Sequence, residues 1–174
     1  MKYLLVLLPF FSFAQCPTKG DNFIASVINA DLLKNRMCYV LKESAIAHNF
    51  SDLIEDKIKD TSLIYVDAYI TSAKISGVES CECHDTAKAM LDYHIYISAT
   101  QGDKLGKHNQ IVEVSRYSRL FNKTLTYAYV KSLVGHKVRI YGYTFMDEEH
   151  KSAIGYWRAG IEEIHPVFYI EKLN

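Results

Sequence analysis

Between Ser62 and Ile75 the segment SLIYVDAYITSAKI places Ile64, Val66, Ala68 and Ile70 at alternate positions, with Tyr65, Asp67, Tyr69 and Thr71 between them. Side chains on an extended chain point to opposite faces with a period of two. The pattern therefore predicts a strand with one apolar face and one polar, aromatic face. Such a strand has to bury its apolar face under more sheet or a helix, so the question becomes what the rest of the chain supplies.

Four more extended segments follow. In DYHIYI, Tyr93, Ile95 and Ile97 share one face, and Asp92, His94 and Tyr96 the other. A polar turn, TQGDKLGKHN, leads to QIVEVS, where Val112 and Val114 oppose Ile111 and Glu113, so these two segments read as a hairpin. Beyond Arg116 and Arg119, Thr124 is expected to cap a helix carrying Leu125, Tyr129, Val130 and Leu133, with Gly135 at its left-handed end. The strand KVRIYGYTFM has Gly142 at a predicted bulge or bend. In the last strand, RAGIEEIHPVFYIEKL, Pro166 cannot donate to a ladder and predicts an edge, a bulge or a change of partner.

The order strand, strand, strand, helix, strand, strand predicts a mainly β chain. It matches an OB-like five-stranded Greek-key barrel with its helix between strands 3 and 4, spanning residues 62–174. An SH3-like barrel or an open α+β sheet is the structural alternative. Residues 15–61 read as a helical or irregular lead-in: Leu33, Met37, Val40 and Leu41 fall at helical spacing, and Asp52 with Glu55 suggests a short capped helix.

The stretch 1–14, MKYLLVLLPFFSFA, has a lysine, a short apolar run and small residues before Gln15. It predicts a cleaved signal peptide, and hence an exported chain in the periplasm or outside the cell; a lipid anchor on Cys16 is the competing form. An exported chain with Cys16, Cys38, Cys81 and Cys83 is expected to form disulfides. Cys16 with Cys38 is the pairing expected, since both precede the barrel.

The 20 basic and 20 acidic residues balance. That argues against an extended nucleic acid as partner, because gripping a polyphosphate needs a basic surface. An unidentified ligand, or a protein docked on the barrel, remains. Aromatic, acidic and imidazole side chains concentrate between Val138 and Pro166, and OB-like barrels bind oligosaccharides or oligonucleotides on one face. Tyr65, Tyr69, Tyr96, Tyr143, Asp147 and His150 are therefore the candidate ligand-binding residues. His94, His150 and His165 are the candidate metal ligands, with zinc the ion such donors favour; a second donor-rich cluster is Cys81, Cys83 and His84. No spacing matches a zinc finger or a His-Glu-x-x-His helix, no Gly-x-Ser-x-Gly elbow occurs, and no catalytic residue stands out. A metal-dependent hydrolase built on those histidines is the alternative to a binding module.

Several motifs occur in a fixed order: Cys81-x-Cys83, Asp92-x-His94, Glu113-Val114, the Leu133 to Gly142 segment, Asp147-x-x-His150, and Glu163-Ile164-His165-Pro166. From Ser62 to the carboxyl end the chain thereby resembles a bacterial OB-fold-like family without an assigned activity. The resemblance implies the barrel rather than a mechanism. Glu162 stands where that family often has an aromatic residue, and Ser115 and Arg116 stand where it tends to have proline. In outline the chain is also similar to staphylococcal-type nucleases, but their acidic and arginine signature has no counterpart in its spacing.

Overall fold

The structure is a computed structural model and describes residues 16–104 and 106–174. The expected signal peptide, 1–14, lies outside the described residues. The alternating segment forms β2, Leu63–Ile75, and its apolar residues Ile64, Val66, Ala68 and Ile70 are buried. The other barrel strands are β3 (Tyr93–Ser98), β4 (Gln110–Val114), β5 (Lys137–Met146) and β6 (Glu162–Lys172).

β2 is long enough to serve two partners. Its first half, from Leu63 to Tyr69, pairs antiparallel with β5, and its second half, from Tyr69 to Ile75, pairs antiparallel with β3. A register shift between Ile70 and Ser72 lies beside the changeover. With β3–β4 and β5–β6 antiparallel and β4–β6 parallel through Val112 and Ile164, the strands close in the order β2-β3-β4-β6-β5-β2. Closure removes the open edges that a five-stranded sheet would expose. It is an OB-like barrel, as the element order predicts. Its core joins the inward residues of every strand with Leu125, Val130 and Leu133 from the segment between β4 and β5.

That segment contains α3 (Ser118–Phe121) and α4 (Tyr127–Ser132). The cap of α4 is Thr126, whose side chain accepts from the Tyr129 amide at 3.1 Å; Thr124 instead donates its hydroxyl to Asn122. Gly135 has φ +85°, the left-handed conformation expected of it, and its amide bonds Ile70 O on β2. Gly142 sits at the expected bulge: the register passes from Gly142↔Val167 to Thr144↔Ile164, leaving Pro166 within the irregularity. A Cβ at Gly142 would lie 2.5 Å from both Ile164 Cγ2 and Pro166 O, so only glycine lets the two strands approach.

The lead-in differs from its expected form. Its first helix, α1, is Ala25–Lys34 and ends before Met37 and Leu41, which are exposed; of the later pair only Val40 is buried. The short helix α2, Phe50–Ile54, starts one turn earlier than Asp52 suggested: Asn49 is the cap, and Asp52 accepts the Asn49 amide at 3.0 Å. Between them β1 (Ile46–Ala47) pairs parallel with β2 as a sixth strand outside the barrel.

The disulfide also differs. Cys16 is bonded to Cys83, with 5.6 Å between Cα atoms, while Cys38 and Cys81 are free thiols. Pairing by sequence neighbourhood failed because the amino-terminal segment runs back against the loop after β2. Buried Asn35, just past α1, fastens the same junction by donating to Thr18 O and Cys81 O. In this bonded form the Cys16 thiol is not available to carry a lipid. No helix among the described residues is long and apolar enough to cross a membrane.

Candidate functional site

Each inward apolar residue of β3, β4 and β6 leaves its neighbour on the outer face. In register, His94 of β3 lies beside Glu113 of β4, and β6 contributes Glu163 and His165 to the same side. Outer-face polar residues normally meet water. Here α1, the loop 76–92 and the loop 147–161 lie over them, and Asp92, Glu113, Glu163 and His165 are each at most 5% exposed.

Buried charges need partners, and these form one continuous network. His94 Nδ1 is 3.2 Å from Glu113 Oε1, and His165 Nδ1 is 3.7 Å from Glu113 Oε2. The other nitrogen of His165, Nε2, lies 3.2 Å from Asp92 Oδ2, while Asp92 Oδ1 accepts the Arg116 amide. His165 Nδ1 is also 3.9 Å from Glu163 Oε2. Glu163 Oε1 and Asp147 Oδ2 both accept from Arg158 Nη1, at 2.8 and 2.6 Å, and His150 Nδ1 is 2.8 Å from the same Asp147 oxygen. The remaining Arg158 donors reach Gly160 O and Ile161 O, so a fully buried guanidinium is paired from each of its nitrogens.

The three candidate histidines are thus linked through carboxylates rather than gathered as one set. Among the described residues, the donor atoms that lie within 4.8 Å of one another belong to Asp92, Glu113 and His165. His94 stands beside that group, and His150 stands beyond Asp147 and Arg158. Of the second cluster, Cys83 is in the disulfide and His84 pairs with Asp21 at the surface, leaving Cys81 buried as a thiol.

Burial dominates the proton affinities. It raises Glu113 well above the ordinary carboxylate range, with Glu163 adding repulsion, and lifts Glu163 to about 8 against the opposing attraction of Arg158. Burial and nearby Lys74 depress His94 to about 3, so His94 is a neutral imidazole. Asp147 is also desolvated, but its hydrogen bond with His150 and the charge of Arg158 hold it low, and the same contact raises His150. Lys34 keeps its proton despite burial because Glu79 lies 2.9 Å away.

Above this network opens a cleft of about 360 Å³, whose walls include Lys34, Glu79, Tyr96, Trp157 and Arg158. Its floor is the outer face of the second and third barrel strands; its sides are the loops joining barrel strands 1 to 2 and 4 to 5. Tyr96 stacks on His94 with 4.9 Å between ring centres, and Trp157 is exposed. Tyr96, Asp147 and His150, expected as ligand-binding residues, meet here together with His94. The others lie elsewhere: Tyr65 packs on Tyr141 beneath Arg139, Tyr143 lies between Phe168 and Arg36, and Tyr69 is half-buried at the changeover in β2. A larger hollow of about 480 Å³, lined by Met37, Met90, Arg116 and Leu120 among others, contains none of the linked carboxylates.

Lys34, Trp157 and Arg158 are not candidates from the sequence, and Glu113 stands out there only within the Glu113-Val114 motif, not as a site residue. Glu113 alternates with two valines, which fits a solvated strand face equally well, and Lys34 is far away in sequence. Arg158, an isolated cation next to the chain's only tryptophan, was the legible signal. Compared with models of known protein families and with curated proteins, the chain matched none.

Proposed function

We propose that this chain is an exported OB-type binding module that takes a small polar ligand, one or two rings in size, in the cleft over β3 and β4. The observation carrying this reading is the position of the cleft: it occupies the outer face of barrel strands 2 and 3 between the two loops with which OB barrels bind oligosaccharides and oligonucleotides. A volume of about 360 Å³ is at the lower end of ligand sites and accommodates a sugar or nucleoside rather than a long polymer. Its chemistry is consistent with such a guest. Trp157 offers an exposed ring, Tyr96 lines the wall from a buried position stacked on His94, and Lys74, His94, His150 and several carboxylates offer donors and acceptors for hydroxyl or amide groups. The disulfide supports export, since such bonds persist in oxidising compartments.

Trp157 provides the test, as the only tryptophan in the chain and a wall of the cleft. Titration with a panel of monosaccharides, disaccharides and mononucleotides should include a probe that changes its fluorescence saturably. Tyr96→Ala should weaken that probe at least tenfold. Absence of any saturable response across the panel, or a response untouched by Tyr96→Ala, would count against the reading. Metal-assisted hydrolysis would additionally require an ion in the floor with a position left open for water.

A further inference from the structure

We propose that His165 Nδ1 and Glu113 hold a divalent cation in the floor of the cleft, with Glu163 as a further oxygen donor and Asp92 orienting His165 from behind. This does not rest on the cleft taking an organic ligand. Donor atoms of Asp92, Glu113 and His165 lie within 4.8 Å of one another. A second observation is independent of that clustering: His165 is 1% exposed, yet among the described residues its Nδ1 has no hydrogen-bond partner.

The tautomer follows from Asp92. A carboxylate only accepts, so His165 Nε2 carries the proton and donates it across 3.2 Å to Asp92 Oδ2. Nδ1 is left as a bare lone pair inside the protein. It faces two further electron-rich atoms, Glu113 Oε2 at 3.7 Å and Glu163 Oε2 at 3.9 Å. Three acceptor atoms meeting in a dry interior need a positive centre between them, a proton or a metal ion.

A metal bonded at about 2.0–2.2 Å to each ligand holds donor atoms about 3.4 Å apart at tetrahedral angles. The separations from His165 Nδ1, 3.7 Å to Glu113 Oε2 and 3.9 Å to Glu163 Oε2, exceed that by a few tenths of an ångström. Glu113 and His165 Nδ1 are then ligands, Glu163 is the third donor, and a fourth position faces the cleft. Asp92 plays the part of the carboxylate behind a metal-bound histidine, fixing the ring and making its free nitrogen more basic. One nitrogen and carboxylate oxygens, without thiolate, suit zinc, manganese or ferrous ion. His94 Nδ1, 3.2 Å from the other oxygen of Glu113, braces that carboxylate from the opposite side. A dication would also offset the surplus of carboxylates over Arg158 at this point.

The experiment uses the untagged full chain. Protein stripped with chelator and titrated calorimetrically with zinc should bind one ion per chain at micromolar concentration or below. Glu113→Gln should weaken binding about 100-fold, and Asp92→Asn about 10- to 100-fold, as loss of an orienting partner does. Both variants are to be compared with wild type by circular dichroism. Should either fail to fold, the wild type still decides: in ¹⁵N imidazole spectra zinc should move the Nδ1 resonance of His165 and leave Nε2 protonated. No stoichiometric binding, binding that leaves His165 Nδ1 unmoved, or unchanged affinity in folded Glu113→Gln would overturn the site. A chain that binds a cleft probe but no zinc loses the cation site alone; one that binds zinc but no cleft probe loses the binding-module reading alone.

Discussion

Arg158 Nη1 lies 2.6 Å from Asp147 Oδ2, and neither side chain is more than 4% exposed. The same nitrogen reaches Glu163, so one guanidinium joins the loop 147–161 to β6 and closes one side of the cleft. Removing one member of a buried pair leaves the other charge without compensation, which costs about 3–5 kcal/mol. Arg158→Leu should lower the unfolding free energy by that amount in urea titrations. Arg158→Lys should recover only part of it, because an ammonium cannot reproduce the fork that serves Asp147, Gly160 and Ile161 together.

Glu162 illustrates a buried acid with a different consequence. It is fully buried, and burial raises it from 4.5 to about 8, with Asp56 and Asp60 adding repulsion. Between those values the folded chain keeps a proton that the unfolded chain has lost. Its contribution is therefore complete below pH 4.5 and is lost as pH rises towards 8, at up to about 1.4 kcal/mol per pH unit. Glu163 and Glu82, also raised to about 8, act in the same direction. Stability measured from pH 5 to 8 should fall in the wild type. Glu162→Gln should fall less steeply and exceed the wild type by about 1–3 kcal/mol at pH 8. Parallel curves would contradict this assignment.

The disulfide makes two separate predictions. The chain between Cys16 and Cys83 is long, with a sequence separation of 67, so a cross-link there should stabilise by about 2–4 kcal/mol. Cys83→Ser should lose that much, and the loss should show first in the loop 76–92. Thiol counting of the denatured, unreduced chain should find two free thiols, Cys38 and Cys81. Four would exclude the bond.

Gly142→Ala should destabilise although it adds a single methyl group. The new Cβ would press on Ile164 Cγ2 and the Pro166 carbonyl, both 2.5 Å away, where β5 and β6 cross their bulge. Overpacking of this kind costs about 1–3 kcal/mol. Thermal melts of the variant against Gly77→Ala, where an added Cβ meets nothing within 4 Å, provide the comparison.

The barrel was legible because alternation encodes which residues face inward: Ile64 and Val66, Ile95 and Ile97, Val112 and Val114 are all buried. Gly142 and Pro166 marked the irregularity for steric reasons that are local, and therefore readable. The site was legible only in fragments. Alternation places His94 and Glu113 outside the barrel but is silent on what covers them. That cover comes from α1 and from a loop tied down by a disulfide across distant sequence. Tyr65, Tyr143 and Tyr96 look alike in their strands, and only the placement of the covering segments puts Tyr96, the most buried of the three, against the cleft. Arg158, expected at the start of the last strand, lies instead in the loop before β6, which begins only at Glu162, and in a loop no periodicity predicts burial.

The central claim is that the outer face of β3 and β4 is where this protein takes its ligand. It is tested most directly by screening polar fragments against the ¹⁵N-labelled chain and mapping the amide shifts. The account predicts that binding fragments move resonances of His94, Tyr96, Ile111 and the Trp157 indole as a group. Shifts confined to other surfaces, such as the hollow beside Met37 and Arg116, with the cleft unmoved, would contradict it.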